Sequence, residues 1–147
     1  MKSKHPDKTR SATPDALSKT LASLERWPES WKTTEADIPL GLELVEIFSN
    51  FLIELYLQGL STRTINRHRG NLWVLGGEVI RRRSSQLGTR EMRSLQILAD
   101  YVSNDGGPLL FLGSTDAEQS RFDGTCRQLS DFLPQTTATK HAPNTDA

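Results

Sequence analysis

Apolar residues recur every three or four positions along most of the chain, the spacing that places side chains on one face of an α-helix. The clearest stripe predicts a helix over 42–58 and consists of Leu44, Phe48, Phe51 and Leu55, with Val45, Leu52 and Tyr56 beside them. Ile65, Leu72 and Val79 are seven residues apart and predict a second helix over 62–82. Similar stripes predict helices over 89–103 and 116–133. The pattern therefore indicates an all-α protein with four main helices.

The segments between the stripes carry turn and capping residues. Gly59 suits the left-handed position that ends a helix, and the Ser61 hydroxyl can then cap the next helix through the amides of Arg63 or Thr64. Residues 115–118 have the pattern of a capping box, and residues 104–108 form a stop signal. The run over 109–112 predicts a buried connector or a short strand. Gly76-Gly77 marks either a helix end or a very close packing contact with another backbone.

Leucines at 17, 21 and 24 predict an N-terminal arm helix over 14–27 that ends near Trp27-Pro28, and the tryptophans are expected to pack this arm onto the bundle. Residues 1–13 and 134–147 are almost free of large apolar side chains, so disordered tails are predicted there. The helical domain is accordingly expected over 14–133, with its core over 40–133.

Composition narrows the class of protein. A chain of 147 residues with 35% apolar residues fits one domain, and equal numbers of basic and acidic residues exclude a protein that coats nucleic acid through its overall charge. The single cysteine, Cys126, and the absence of an apolar leader in the first residues favour a cytoplasmic location. Polar residues interrupt the most apolar stretch, so no membrane span is expected.

Charge is unevenly distributed despite this balance. Every charged residue over 33–58 is acidic. Over 63–93, by contrast, two acidic residues, Glu78 and Glu91, accompany eight arginines: Arg63, Arg67, Arg69, Arg81, Arg82, Arg83, Arg90 and Arg93. Helical spacing places Arg63, Arg67 and Arg81 opposite the apolar stripe. The basic face either binds phosphate, which arginine contacts with two donors at once, or is merely solvated or paired with Glu43, Glu46 and Glu54.

About 35 of the 147 residues resemble the core-binding (SAM-like) domain of tyrosine recombinases and phage integrases, through the pattern Phe48-x-x-Phe51-Leu52-x-x-Leu55-x-Leu57-Gln58-Gly59-Leu60-Ser61-x-x-Thr64-Ile65, followed by Leu72 and Leu75. This resemblance implies a four-to-five-helix orthogonal bundle that holds duplex DNA. It also implies that Ser61 and Thr64 donate hydrogen bonds to backbone phosphates, beside the cationic Arg63, Arg67 and Arg69. Arg81 continues the same basic face. His68 stands where the family often has tyrosine.

The catalytic domain of those recombinases has no counterpart, because the residues after Ser85 are too few to contain it, so no enzymatic activity is expected. Three scattered histidines and a lone Cys126, which is interpreted as a core residue, predict no metal or cofactor. The sequence therefore predicts a non-catalytic module that binds double-stranded DNA. The alternatives are a protein-protein adaptor, self-association included, and a helix-turn-helix regulator, although the helix before Gly59 is long for that motif.

Overall fold

The computed structural model describes residues 11–84, 94–103, 105–110 and 115–133, and these residues form an all-α bundle. Its helices are α1 (Pro14–Ala22), α2 (Trp27–Trp31), α3 (Ile38–Leu57), α4 (Thr62–Ser84), α5 (Ser94–Tyr101) and α6 (Asp116–Phe132), with a 3-10 turn over Glu35–Asp37. Five of these helices have eight or more residues, so the predicted all-α bundle is confirmed. Within the described ranges, no helix is both long enough and apolar enough to cross a membrane.

The hairpin between α3 and α4 follows the predicted turn. Gly59 has a φ of 89°, in the left-handed region, and its amide donates to the carbonyl of Tyr56 at 2.9 Å. The amide of Leu60 then donates to the carbonyl of Leu55 at 3.3 Å, which completes a common way of closing a helix C-terminus. The Ser61 hydroxyl accepts from the amide of Thr64 at 3.2 Å. Glycine and serine at these positions thus end one helix and begin the next within four residues.

The predicted N-terminal arm is wrong in its helix boundaries. One helix ends at Ala22 and a second begins at Trp27, with Pro28 in its first turn. Proline lacks a backbone N–H, so it is unfavourable inside a helix but well suited to the first turn, where that donor has no partner. Pro28 therefore starts a helix instead of ending one.

The predicted tail over 1–13 is also wrong at its inner end. The hydroxyl of Ser11 donates to the carbonyl of Gly59 at 2.9 Å, and the amide of Ala12 donates to the carbonyl of Leu60 at 2.9 Å. These two hydrogen bonds hold residues 11–12 against the turn between α3 and α4. Residues 1–10 and 134–147, the rest of both predicted tails, lie outside the described residues.

The hydrophobic core extends further toward the N-terminus than the predicted limit of residue 40. Leu24, Trp27 and Trp31 are buried with the apolar residues of α3 and α4, because α2 packs against both helices. The Trp31 indole lies on Gly76, where an added Cβ would stand 2.2 Å from its Cζ2 atom. Helix α4 continues through Gly76-Gly77, and the close contact at these glycines is with an indole ring rather than with another backbone.

The loop after α5 packs onto α6 near its middle. Ser103 and Gly106 exchange backbone hydrogen bonds of 2.8 and 3.1 Å, which close a tight turn, and the Gly107 amide donates to Asp123 Oδ1 at 3.0 Å. Residues 107–110 form no strand; Leu109 is 78% exposed, whereas Leu110 is half-buried and packs against the core, so these two residues form a partly buried connector. Positions 111–112 of that run, and 89–93 of the predicted helix over 89–103, lie outside the described residues.

Candidate nucleic-acid interface

One line of residues along the first half of α4 faces outward. Arg63, Arg67 and Gly70 are exposed and follow one another at spacings of four and three residues. That spacing places them on one side of the helix, opposite the buried Ile65 and Leu72. We call Arg63, Arg67 and Gly70 the outer face of α4.

The two arginines of the outer face carry charges that the described residues do not neutralise. They lie one turn apart, about 6 Å along the helix axis. Among the ion pairs formed by the described residues, none involves Arg63 or Arg67, and none connects them to Glu43, Glu46 or Glu54. Two neighbouring positive charges repel each other weakly in water and attract a polyanion. Pairing with the described residues therefore does not account for the charges of these two arginines.

Ser61 and Thr64 lie at the start of α4, next to the outer face, and bond to each other. Ser61 is buried at 8% exposure; its hydroxyl accepts from the Thr64 amide and donates to Thr64 Oγ1 at 3.1 Å. This geometry makes Ser61 the cap that fixes the first turn of α4. Thr64 is half-buried and keeps its own hydroxyl hydrogen, so it is the better placed of the two to donate to a phosphate.

The other two predicted site residues occupy different surroundings. Arg69 is half-buried, and its Nη1 donates to the Ser23 hydroxyl at 3.3 Å, which ties α4 to the turn after α1. Arg81 pairs with Glu78, as does Arg82 through Nε at 3.1 Å. Arg81 also lies 18 residues after Arg63, about 27 Å along the helix. The structure thus brings together Ser61, Arg63, Thr64 and Arg67, and leaves Arg81 at the other end of α4.

Helix α6 borders the outer face on one side and adds a basic residue. The Asn71 side-chain amide donates to Thr125 Oγ1 at 2.7 Å and to the carbonyl of Arg121 at 3.4 Å. Arg121 is exposed and forms no ion pair with the other described residues. Sequence reasoning missed Arg121, since only tertiary contacts such as that of Asn71 show which turn of α6 lies beside α4. The one signal for Arg121 in the sequence was its position directly before Phe122, which faces the core.

His68 connects α4 to α6 beneath the surface. Its Nδ1 lies 2.8 Å from Thr125 Oγ1, and its ring contacts Phe51 edge-on with centroids 6.2 Å apart. Burial disfavours the charged imidazole and Arg67 adds a nearby positive charge, which together lower the pKa of His68 from 6.5 to about 4. His68 is therefore neutral near pH 7 and contributes to packing. Among the described residues, no group of three side chains is suited to a metal ion.

Cys126 lies on the inward face of α6, and burial, with a smaller effect of the Asp123 charge, raises the pKa of its thiol to about 12. We expect no measurable reaction with Ellman's reagent at pH 8 while the protein is folded, since the thiolate is the reactive form. One equivalent should react promptly in guanidinium chloride. Rapid modification of the folded protein would show that Cys126 is not a closed core residue.

No protein-family model, curated protein or solved structure matches this chain. A function for the surface around α4 therefore has to be inferred from the geometry and charge of that surface.

Proposed function

We propose that this chain is a non-catalytic module that binds the sugar-phosphate backbone of double-stranded DNA through the outer face of α4. The observation that carries the proposal is the exposure of Arg63 and Arg67 on successive turns, without carboxylate partners among the described residues, in a chain of zero formal net charge. Both arginines lie near the N-terminus of α4, where the helix dipole and the first-turn amides also favour an anion. The resemblance to integrase core-binding domains also supports α4 as the helix that contacts DNA.

The proposed binding is weak and insensitive to base sequence. Contacts to phosphates position a protein on DNA without reading its sequence, and arginines limited to Arg63, Arg67 and Arg121 would neutralise about three phosphates. The logarithm of the association constant should then fall with the logarithm of salt concentration with a slope of about −2 to −3. A dissociation constant on the order of 1 to 100 µM is expected at physiological salt.

Removing the two arginines of the outer face should abolish most of this binding. We expect the Arg63→Ala/Arg67→Ala double variant to bind about 10- to 100-fold more weakly at low salt, with a salt slope smaller in magnitude by about 2, because two phosphate contacts are lost. Fluorescence anisotropy of a labelled random-sequence duplex of about 30 base pairs, titrated at several salt concentrations, measures both quantities.

A matched control is the Lys19→Ala/Arg127→Ala double variant, which removes the same formal charge from exposed positions on α1 and α6. Its salt slope should equal that of the wild type. Equal weakening by both double variants would assign binding to overall charge instead of the outer face of α4. A wild-type chain that does not bind duplex DNA at low salt would contradict the proposed function.

A second candidate function is a protein-protein adaptor, and the outward face of α3 favours it. This face carries Glu43, Glu46 and Glu54, and Leu42 and Leu57 are 56% and 69% exposed. An acidic α3 on one copy is complementary to the basic outer face of α4 on another. Sedimentation velocity without DNA tests this: self-association that high salt dissociates, together with no DNA binding, would favour the adaptor.

The third alternative, a helix-turn-helix regulator, is less consistent with the helix lengths. Helix α3 has 20 residues and α4 has 23, whereas the regulator motif joins short helices. The DNA-binding proposal includes a cytoplasmic location, in keeping with a sequence whose single cysteine cannot form an internal disulfide.

A further inference from the structure

Gly70 is an exposed glycine inside a 23-residue helix, and its missing side chain has no explanation within the described part of the fold. Glycine is less favourable than alanine in a helix interior because its backbone loses more freedom on folding. A Cβ atom added at Gly70 would meet no heavy atom within 4 Å, so packing does not require glycine there. Gly76 differs, because the Trp31 indole occupies the space where its side chain would be.

The position of Gly70 points outward to a partner. It follows Arg67 by three residues on the outer face of α4, so its bare backbone lies about one helical turn from the backbone of Arg67, which forms no ion pair with the other described residues. Asn71, the next residue, holds the turn of α6 that bears Arg121. Gly70 therefore leaves the helix backbone accessible without a Cβ next to Arg67, and Asn71 joins this part of α4 to the turn of α6 that carries the exposed Arg121.

We propose that Gly70 is the close-contact point for DNA: a sugar-phosphate strand bound by Arg63 and Arg67 packs directly on the Gly70 Cα, and Arg121 contacts the same strand from α6. This inference rests on the proposed function and specifies its geometry. Charge complementarity selects a polyanion, and the lack of a Cβ selects a partner that must approach the helix backbone closely. The glycine then lowers the stability of the free protein and improves its affinity for DNA.

Side chains introduced at Gly70 should therefore affect stability and binding in opposite directions. Gly70→Ala and Gly70→Gln are expected to raise Tm by about 2 to 5 °C, because both residues favour a helix and find open space. The same variants should raise the Kd for the random-sequence duplex about threefold and at least tenfold, respectively, in proportion to the added bulk. Their salt slope should stay that of the wild type, since no charge is removed.

Two further variants make the experiment specific. Gly124→Ala is a matched control on α6, where an added Cβ would lie 3.7 Å from Arg127 Nη2, an ordinary contact; it should raise Tm and leave the Kd unchanged. Arg121→Ala should reduce the magnitude of the salt slope by about 1 if Arg121 contacts a phosphate.

The possible results separate the two proposals. Wild-type binding that the Gly70 variants retain in full would overturn the role of Gly70 and leave DNA binding by the arginines standing. A Gly70→Ala variant with a lowered Tm would also overturn it, because the folded chain itself would then need the glycine. Absence of wild-type binding would overturn both proposals together.

Discussion

Replacing Gly76 with alanine is expected to lower the free energy of unfolding by about 2 to 4 kcal/mol, although alanine is the better helix former by about 1 kcal/mol. The new Cβ would stand 2.2 Å from Cζ2 and 2.5 Å from Cη2 of the Trp31 indole. That ring is only 6% exposed, its Nε1 donates to the Trp73 carbonyl at 2.9 Å, and it contacts Phe48 edge-on. The ring can move only by losing this hydrogen bond and its core contacts.

Urea denaturation of a double-mutant cycle measures this effect and its cause. Trp31→Ala alone should cost about 3 to 5 kcal/mol, as expected for a buried tryptophan. In the Trp31→Ala protein, Gly76→Ala should become neutral or stabilising by up to about 1 kcal/mol, because the clash is gone and the helix propensity remains.

Gly77→Ala is the matched control, since its added Cβ would lie 3.4 Å from Trp31 Cδ1, within ordinary contact distance. Its effect should stay within about 1 kcal/mol of the wild type. Equal effects of Gly76→Ala and Gly77→Ala would show that the indole does not require a bare backbone at Gly76.

The contact between Trp31 and Gly76 also marks the limit of what the sequence predicts about this fold. Helices α3, α4 and α6 were predicted within a few residues, because their apolar stripes are long and the Gly59-Ser61 turn has a local chemical cause. The pairing of a tryptophan with a glycine 45 positions away has no local cause. From sequence, Gly76-Gly77 indicated only a weak or close-packed point in α4, and two interpretations remained open.

The candidate site likewise combines features that the sequence predicts with features that it does not. The exposure of Arg63 and Arg67 follows from helical periodicity and was predicted. Glu78 precedes Arg81 by three residues, a spacing at which side chains on a helix meet, so the pairing of Arg81 was also within reach of the sequence. The roles of Gly70 and Arg121 could not be predicted from the sequence. The role of Gly70 depends on the empty space around the helix, and that of Arg121 depends on the register of α6 against α4.

His68 should make the protein less stable as the pH falls from about 6.5 to about 4. Its pKa is about 4 in the folded state and about 6.5 when unfolded, so between these values the unfolded chain binds a proton that the folded chain does not. Stability from the neutral imidazole is thus fully present above pH 6.5. It decreases by up to about 1.4 kcal/mol per pH unit on acidification, for a total of roughly 3 kcal/mol.

Urea denaturation at intervals between pH 7 and pH 4.5 measures this loss, and His68→Asn separates it from the titration of carboxylates. The asparagine carbonyl can accept from the Thr125 hydroxyl, which lies 2.8 Å from Nδ1 in the wild type, but it does not titrate. The variant should be less stable at pH 7, where a smaller side chain fills the site, and should lose less stability on acidification. Parallel losses in both proteins would show that the imidazole accepts its proton without unfolding, which would contradict its closed position between α4 and α6.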